Sequence, residues 1–146
     1  MEIKQRKDRN PIVKVITRKN ISNKSKDFMN LFSETKILAI ENNEFHLKYY
    51  KTLFPNCVLC KTPAEGLRIL KKEKFDVVIL DYFFQEKNGV ELINEIKQCS
   101  FNSEIQSLLI TNLDSGLTYK TLNNFDTFLF RPAKPIDIYE KLQTLL

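Results

Sequence analysis

No run of apolar residues in this 146-residue chain approaches the roughly 20 needed to cross a bilayer. The first residues also lack the apolar stretch of a secretion signal, so a cytoplasmic, membrane-free protein is expected. Cysteine is scarce and odd in number, Cys57, Cys60 and Cys99, which excludes a disulfide framework. Cys57-Val-Leu-Cys60 has the spacing of a metal or redox pair, but it lies in a strand-like run where positions three apart face opposite ways. No second pair or nearby histidine completes a zinc site. The single histidine, His46, shows no acid, thiol or serine companion, so it reads as structural or solvated. Without a nucleophile and base pair the chain is not expected to be an independent enzyme. Repeats and low-complexity tracts are absent as well.

The charge lacks an even spread. Residues 1–34 carry nine Lys and Arg against four Asp and Glu, which accounts for the whole net charge of +5. The remainder is balanced. It therefore has no basic field for nucleic acid, and any such contact is expected through residues 1–34 alone.

What is present is the makeup of a globular domain, 42% hydrophobic and 28% charged. The chain divides into a basic N-terminal extension, 1–34, and a folded domain, 35–146. Inside the extension, residues 12–17 have strand propensity, while Phe28, Leu31 and Phe32 mark one apolar side of a short helix. The plainer alternative is a solvated tail.

From Lys36 strands and helices alternate. Ile37-Leu38-Ala39-Ile40 reads as a buried strand, and Phe45, Tyr49, Tyr50 and Leu53 mark a helix face after it. A short second strand covers residues 57–61. Thr62-Pro63-Ala64-Glu65 then starts a helix, with Thr62 as cap, Pro63 at the first position and Glu65 reaching back. Val77-Val78-Ile79-Leu80 lacks polar alternation, as suits a strand buried on both faces, and Asp81 ends it. Asn88-Gly89-Val90-Glu91 starts a helix with Leu92, Ile93 and Ile96 inward. A fourth strand ends at Thr111. Residues 115–124 make a poor helix, rich in Thr, Asn and Gly, and are expected to be mobile. Thr127 to Phe130 is the fifth strand, ending in Arg131-Pro132, and Pro135 opens a last helix with Ile138, Leu142 and Leu145 inward. Strands joined by single helices imply parallel crossovers and an α/β fold.

Glu41 and Asn42, Asp81, Thr111 and Arg131 stand at the strand ends, so they converge on one edge of such a sheet. Carboxylates beside a hydroxyl and a cation suit a divalent metal and a phosphoryl group. Alternatively, Asp81 anchors its loop, and Glu41 and Asn42 cap the first helix.

Residues 36–146 resemble the receiver domain of two-component response regulators. The resemblance rests on Asp81 after its apolar strand, Gly89 eight residues on, Thr111, and Asp126-Thr-Phe-Leu-Phe-Arg131-Pro132. It implies a flavodoxin-like five-stranded parallel sheet of order 2-1-3-4-5 with helices on both faces. It also implies a signalling switch with Asp81 as phosphoacceptor, fed by a histidine kinase or phosphotransfer protein, with Thr111 and Phe128 as the switch pair. Mg2+ would be held by Asp81, Glu41, Asn42 and the Phe83 main-chain carbonyl. Output would pass to a downstream protein or a homodimer through the face of the fourth helix, fifth strand and fifth helix, and the chain would at most catalyse its own phosphorylation and dephosphorylation.

The departures from the family pattern carry their own expectations. Asn42 replaces a carboxylate, Gln85 a proline and Arg131 a lysine, with Lys134 out of register. A guanidinium is a planar fork rather than a compact charge, so Arg131 is no conservative change. Phe83 and Leu113 stand where the family tunes attack of water on the acyl phosphate, and both being apolar implies slow dephosphorylation. A competing expectation is a pseudo-receiver that is never phosphorylated and works as a constitutive interaction scaffold. A third is nucleic-acid binding by residues 1–34, which salt would weaken.

Overall fold

The computed structural model describes residues 30, 32–113 and 116–146. The expectations for residues 12–17, Phe28 and Leu31 lie outside the described residues. Five strands are formed, β1 (Ile37–Ile40), β2 (Val58–Cys60), β3 (Val77–Leu80), β4 (Gln106–Thr111) and β5 (Thr127–Phe130). They alternate with α1 (Glu44–Leu53), α2 (Pro63–Leu70), α3 (Gly89–Gln98), α4 (Tyr119–Leu122) and α5 (Pro135–Leu145). All strand pairs are parallel, in the order β2-β1-β3-β4-β5. The flavodoxin-like expectation is met.

Burial on both faces explains the unbroken apolar runs. Along β1 and β3, Leu38, Ile40, Val78 and Leu80 pack under α2 and α3 with Leu70, Leu92, Ile93 and Ile96. Their alternates Ile37, Ala39, Val77 and Ile79 pack under α1 and α5 with Tyr50, Leu53, Ile138 and Leu142. Period-two alternation thus feeds two cores from one run. Cys60 joins the first core and Cys57 the second, so the two thiols do face opposite ways.

Helix starts follow side-chain chemistry. Thr62 Oγ1 accepts the Glu65 amide at 3.1 Å, and Asn88 Oδ1 accepts the Glu91 amide at 2.9 Å. Glu65 does reach back, but to the Lys61 amide rather than that of Thr62. At α1 the cap is Asn43, whose Oδ1 accepts the amides of Phe45 and His46, and not Glu41 or Asn42. That start places Leu47, Tyr50 and Leu53 inward and leaves Phe45, in the first turn beyond the end of β1, 80% exposed. The expected apolar face was therefore wrong at Phe45 and missed Leu47.

In α5, Ile138 and Leu142 are buried as expected and Leu145 packs partly, while Tyr139 adds a buried ring. Phe32 is buried too, with its ring against Phe54 and Tyr139 at 5.8 and 6.2 Å. The poor helix of residues 115–124 shrinks to the four residues of α4.

Candidate functional site at the carboxyl edge of the sheet

Parallel register brings the strand ends together. Ile40 pairs with Leu80, Leu80 with Leu109, and Thr111 with Phe130, so Glu41, Asp81, Thr111 and Arg131 all fall at the same edge. Main-chain bonds fix the ends. The Glu41 amide donates to Cys60 O at 2.9 Å and the Arg131 amide to Thr111 O at 2.8 Å. The Gly89 amide donates to Tyr82 O, and a Cβ at Gly89 would lie 2.7 Å from Asp81 O, which is why the chain needs a glycine there.

Arg131 joins the two acids. Its Nη1 donates to Asp81 Oδ2 at 3.0 Å and its Nη2 to Glu41 Oε2 at 3.2 Å. The remaining oxygens are also engaged. Asp81 Oδ1 accepts the Tyr82 amide at 2.6 Å and, more weakly, that of Phe83 at 3.5 Å. Glu41 Oε1 meets His46 Nδ1 at 2.7 Å and the Asn43 amide at 3.3 Å. Side-chain exposure is 13% for Arg131, 12% for Asp81 and 2% for Glu41, so these are largely desolvated charges that depend on one another. His46, expected to lack an acid partner, has Glu41.

Burial pulls the Arg131 pKa down, but Tyr50, Asp81 and Glu41 outweigh it and hold the guanidinium above its ordinary range. Tyr50 is itself pushed up, chiefly by burial. Arg131 also lines a cleft of about 480 Å³ between α1 and the β5–α5 loop, with His46, Tyr49, Tyr50, Pro132 and Ile138. Tyr49, also in its lining, donates to Ala133 O at 2.8 Å. The peptide bond between Arg131 and Pro132 is cis.

The other expected residues are placed as follows. Thr111 is fully buried, and its hydroxyl has no hydrogen-bond partner among the described residues. Phe128 is partly buried and packs against Phe130 with ring centres 5.6 Å apart. Phe83 is exposed, with its ring edge-on to Tyr82. Asn42 is exposed and takes no part in the arginine bridge.

These residues do not fit a magnesium ion. Mg2+ takes six oxygens at about 2.0–2.1 Å in near-octahedral array. Here both acids already accept donors at every oxygen, the third acid position is the exposed amide of Asn42, and a guanidinium stands between the carboxylates. Like charges 4 Å apart repel by about 4 kcal/mol per unit product at an effective dielectric near 20, and a divalent ion doubles that. Among the described residues no cluster of three or more His, Cys, Asp or Glu is placed to hold a metal. Of the expected set, Asp81 and Glu41 are joined through Arg131 and Asn42 is exposed.

Sequence reasoning missed the bridge, His46 and a further buried residue. Asn102 accepts the Phe75 amide at 2.8 Å and donates to Leu70 O and Glu73 O, tying the loop before β3 to the turn before β4. Asp126 plays a similar part at the start of β5, accepting from the Ser107 amide and hydroxyl.

A doubly wound parallel sheet of this order with an aspartate ending its central strand is the fold of CheY-like response regulator receiver domains. The receiver domain of Methylobacillus flagellatus superposes with a TM-score of 0.70 at 15% identity, covering 77% of this chain and 98% of that one. The response regulator TrrA of Thermotoga maritima, solved in complex with Mg2+-BeF, gives 0.68 at 18% identity, covering 77% and 99%. In sequence the chain is similar to the probable C4-dicarboxylate response regulator DctR of Bacillus subtilis, 23% identical over 107 residues, 69% of this chain and 47% of that protein. The chain spans less than half the length of the curated relatives it matches. No protein-family model matches it. No described helix is long and apolar enough to cross a membrane.

Proposed function

We propose that the chain is a receiver-fold signalling module that works by protein contacts without taking phosphate on Asp81. The observation that carries this reading is the engagement of both Asp81 oxygens, one by the Arg131 guanidinium and the other by main-chain amides. An aspartate so compensated is a poor nucleophile, and the attacking oxygen would first have to leave a charged hydrogen bond. The face of α4, β5 and α5 is the output surface on this reading, with a downstream protein as partner. Tyr119 is 81% exposed on α4, and β5 is a half-buried edge strand. No catalytic turnover is assigned.

One observation favours the phosphorylated reading. The buried Thr111 hydroxyl has no partner among the described residues, and a phosphoryl oxygen on Asp81 would supply one. Incubation of the full chain with magnesium and acetyl phosphate, followed by intact-mass measurement, separates the two. The expected outcome is no adduct. An adduct that disappears in Asp81→Asn would replace the constitutive reading with a phosphorylated switch, with Thr111 and Phe128 as its moving parts.

A further inference from the structure

We propose that the cleft between α2 and the loop joining β3 to α3 is a docking groove for an extended acidic peptide segment of a partner protein. The inference goes beyond the reading above and stands apart from it, since the groove shares no residue with the Arg131 bridge or with α4, β5 and α5.

The cleft has a volume of about 490 Å³ and a mixed lining. Buried Pro63 and Leu67 and exposed Ala64 give it an apolar part. Arg68, Lys71 and Lys72 give it a cationic wall, their spacing of three and four placing them along one side of the helix and its end. All three are exposed, and none forms an ion pair among the described residues, whereas Lys36, Lys61 and Lys87 each hold a glutamate. The α2 dipole favours cations at this end. Any arrangement around the helix would satisfy the dipole, however, and here all three fall in the lining of the cleft. The loop contributes Glu86 and Lys87, and Lys87 is neutralised by Glu95, so the lining is left with a net charge of +2.

Charge complementarity selects an acidic occupant. Nucleic acid fits poorly, because the lining has no aromatic ring for a base to stack on and carries an acid of its own. A peptide suits the mixture. In an extended chain alternate side chains point the same way about 6.6 Å apart, close to the advance of about 6 Å over four residues of a helix. Carboxylates at alternate positions can thus meet Arg68 and Lys72, while the aliphatic groups between them meet Ala64, Leu67 and the long stems of the cations.

The test uses the full chain and a short fluorescein-labelled peptide of alternating Glu and Leu, followed by fluorescence anisotropy. Saturable binding is expected, weakening as salt is raised. Arg68→Glu combined with Lys72→Glu should weaken it about tenfold, and circular dichroism checks that this variant is folded. Lys14→Glu combined with Arg18→Glu, in the basic residues 1–34, should leave it unchanged. A peptide with Gln in place of Glu is expected not to bind, and one with Ser in place of Leu to bind about threefold more weakly. Failure of the Glu-Leu peptide to bind would overturn the inference. So would an affinity that survives the α2 reversal or is lost in the reversal at Lys14 and Arg18. A single-stranded oligothymidylate of equal charge that binds as tightly, and is lost in the same α2 variant, would replace the peptide groove with a general polyanion patch. Neither acetyl phosphate outcome bears on these readouts, so the two readings fail separately.

Discussion

The hydroxyl of Thr111 is the least comfortable atom at the carboxyl edge, since it is fully buried with no hydrogen-bond partner among the described residues. Leaving such a group unpaired costs about 1–3 kcal/mol. Thr111→Val removes the hydroxyl while keeping the branched shape that suits β4, and is expected to raise stability by about 1 kcal/mol, read as a higher urea midpoint. A fall in midpoint would show that the hydroxyl has a partner in solution. The position of Thr111 was legible from sequence because a strand's end can be counted from its apolar run, and the same holds for Glu41, Asp81 and Arg131. The bonds between them were not legible. Spacing says where a residue stands but not which partner a five-donor guanidinium will choose, and Arg131 chose acids 50 and 90 positions away. His46 and Glu41 are separated by a strand end and a helix cap, so no periodicity links them. Asn102 was invisible because an asparagine in a polar turn looks the same whether or not it is buried.

Among the elements, α3 and the loop before it do most to shape the site. Gly89 opens α3 so close to Asp81 O that a methyl group would meet main-chain atoms, which cannot move aside as a side chain can. Gly89→Ala is therefore expected to destabilise by about 1–3 kcal/mol, the usual range for overpacking, despite alanine's better helix propensity. Chemical denaturation would measure it, and a neutral result would mean that the loop relaxes freely. Caps with one strong candidate, Thr62 and Asn88, could be read directly from sequence. The run Glu41-Asn42-Asn43-Glu44 offers several candidates, and there the alternative of a cap from Glu41 or Asn42 gave way to Asn43 and the expected helix face failed at Phe45. The four-residue α4 bears out the low helix propensity of its surroundings.

The whole molecule responds to alkali through its buried phenols and thiols. Burial pushes the Cys60 thiol up from its ordinary 9.0 to about 12, with Glu65 adding to the effect and Arg68 opposing it. Burial is likewise the leading cause of the upward shifts at Cys57, Tyr50, Tyr49 and Tyr139. The folded form then keeps protons that the unfolded chain gives up. This contribution to stability is fully present below the ordinary thiol value and declines as pH rises from there toward the folded values. Urea midpoints should fall between about pH 8 and about pH 11; a flat or rising profile would contradict the burial of these groups.

The three cysteines have a further use that follows from the two-faced strands. Cys57 belongs to the layer of α1 and α5, whereas Cys60 and Cys99 belong to the layer of α2 and α3. All three are free and buried. An alkylating reagent therefore reaches each of them only when its own layer opens, and the order in which the thiols are modified gives a clock for each side of the sheet. The unmodified protein thus carries built-in reporters of whether its halves loosen together or one at a time.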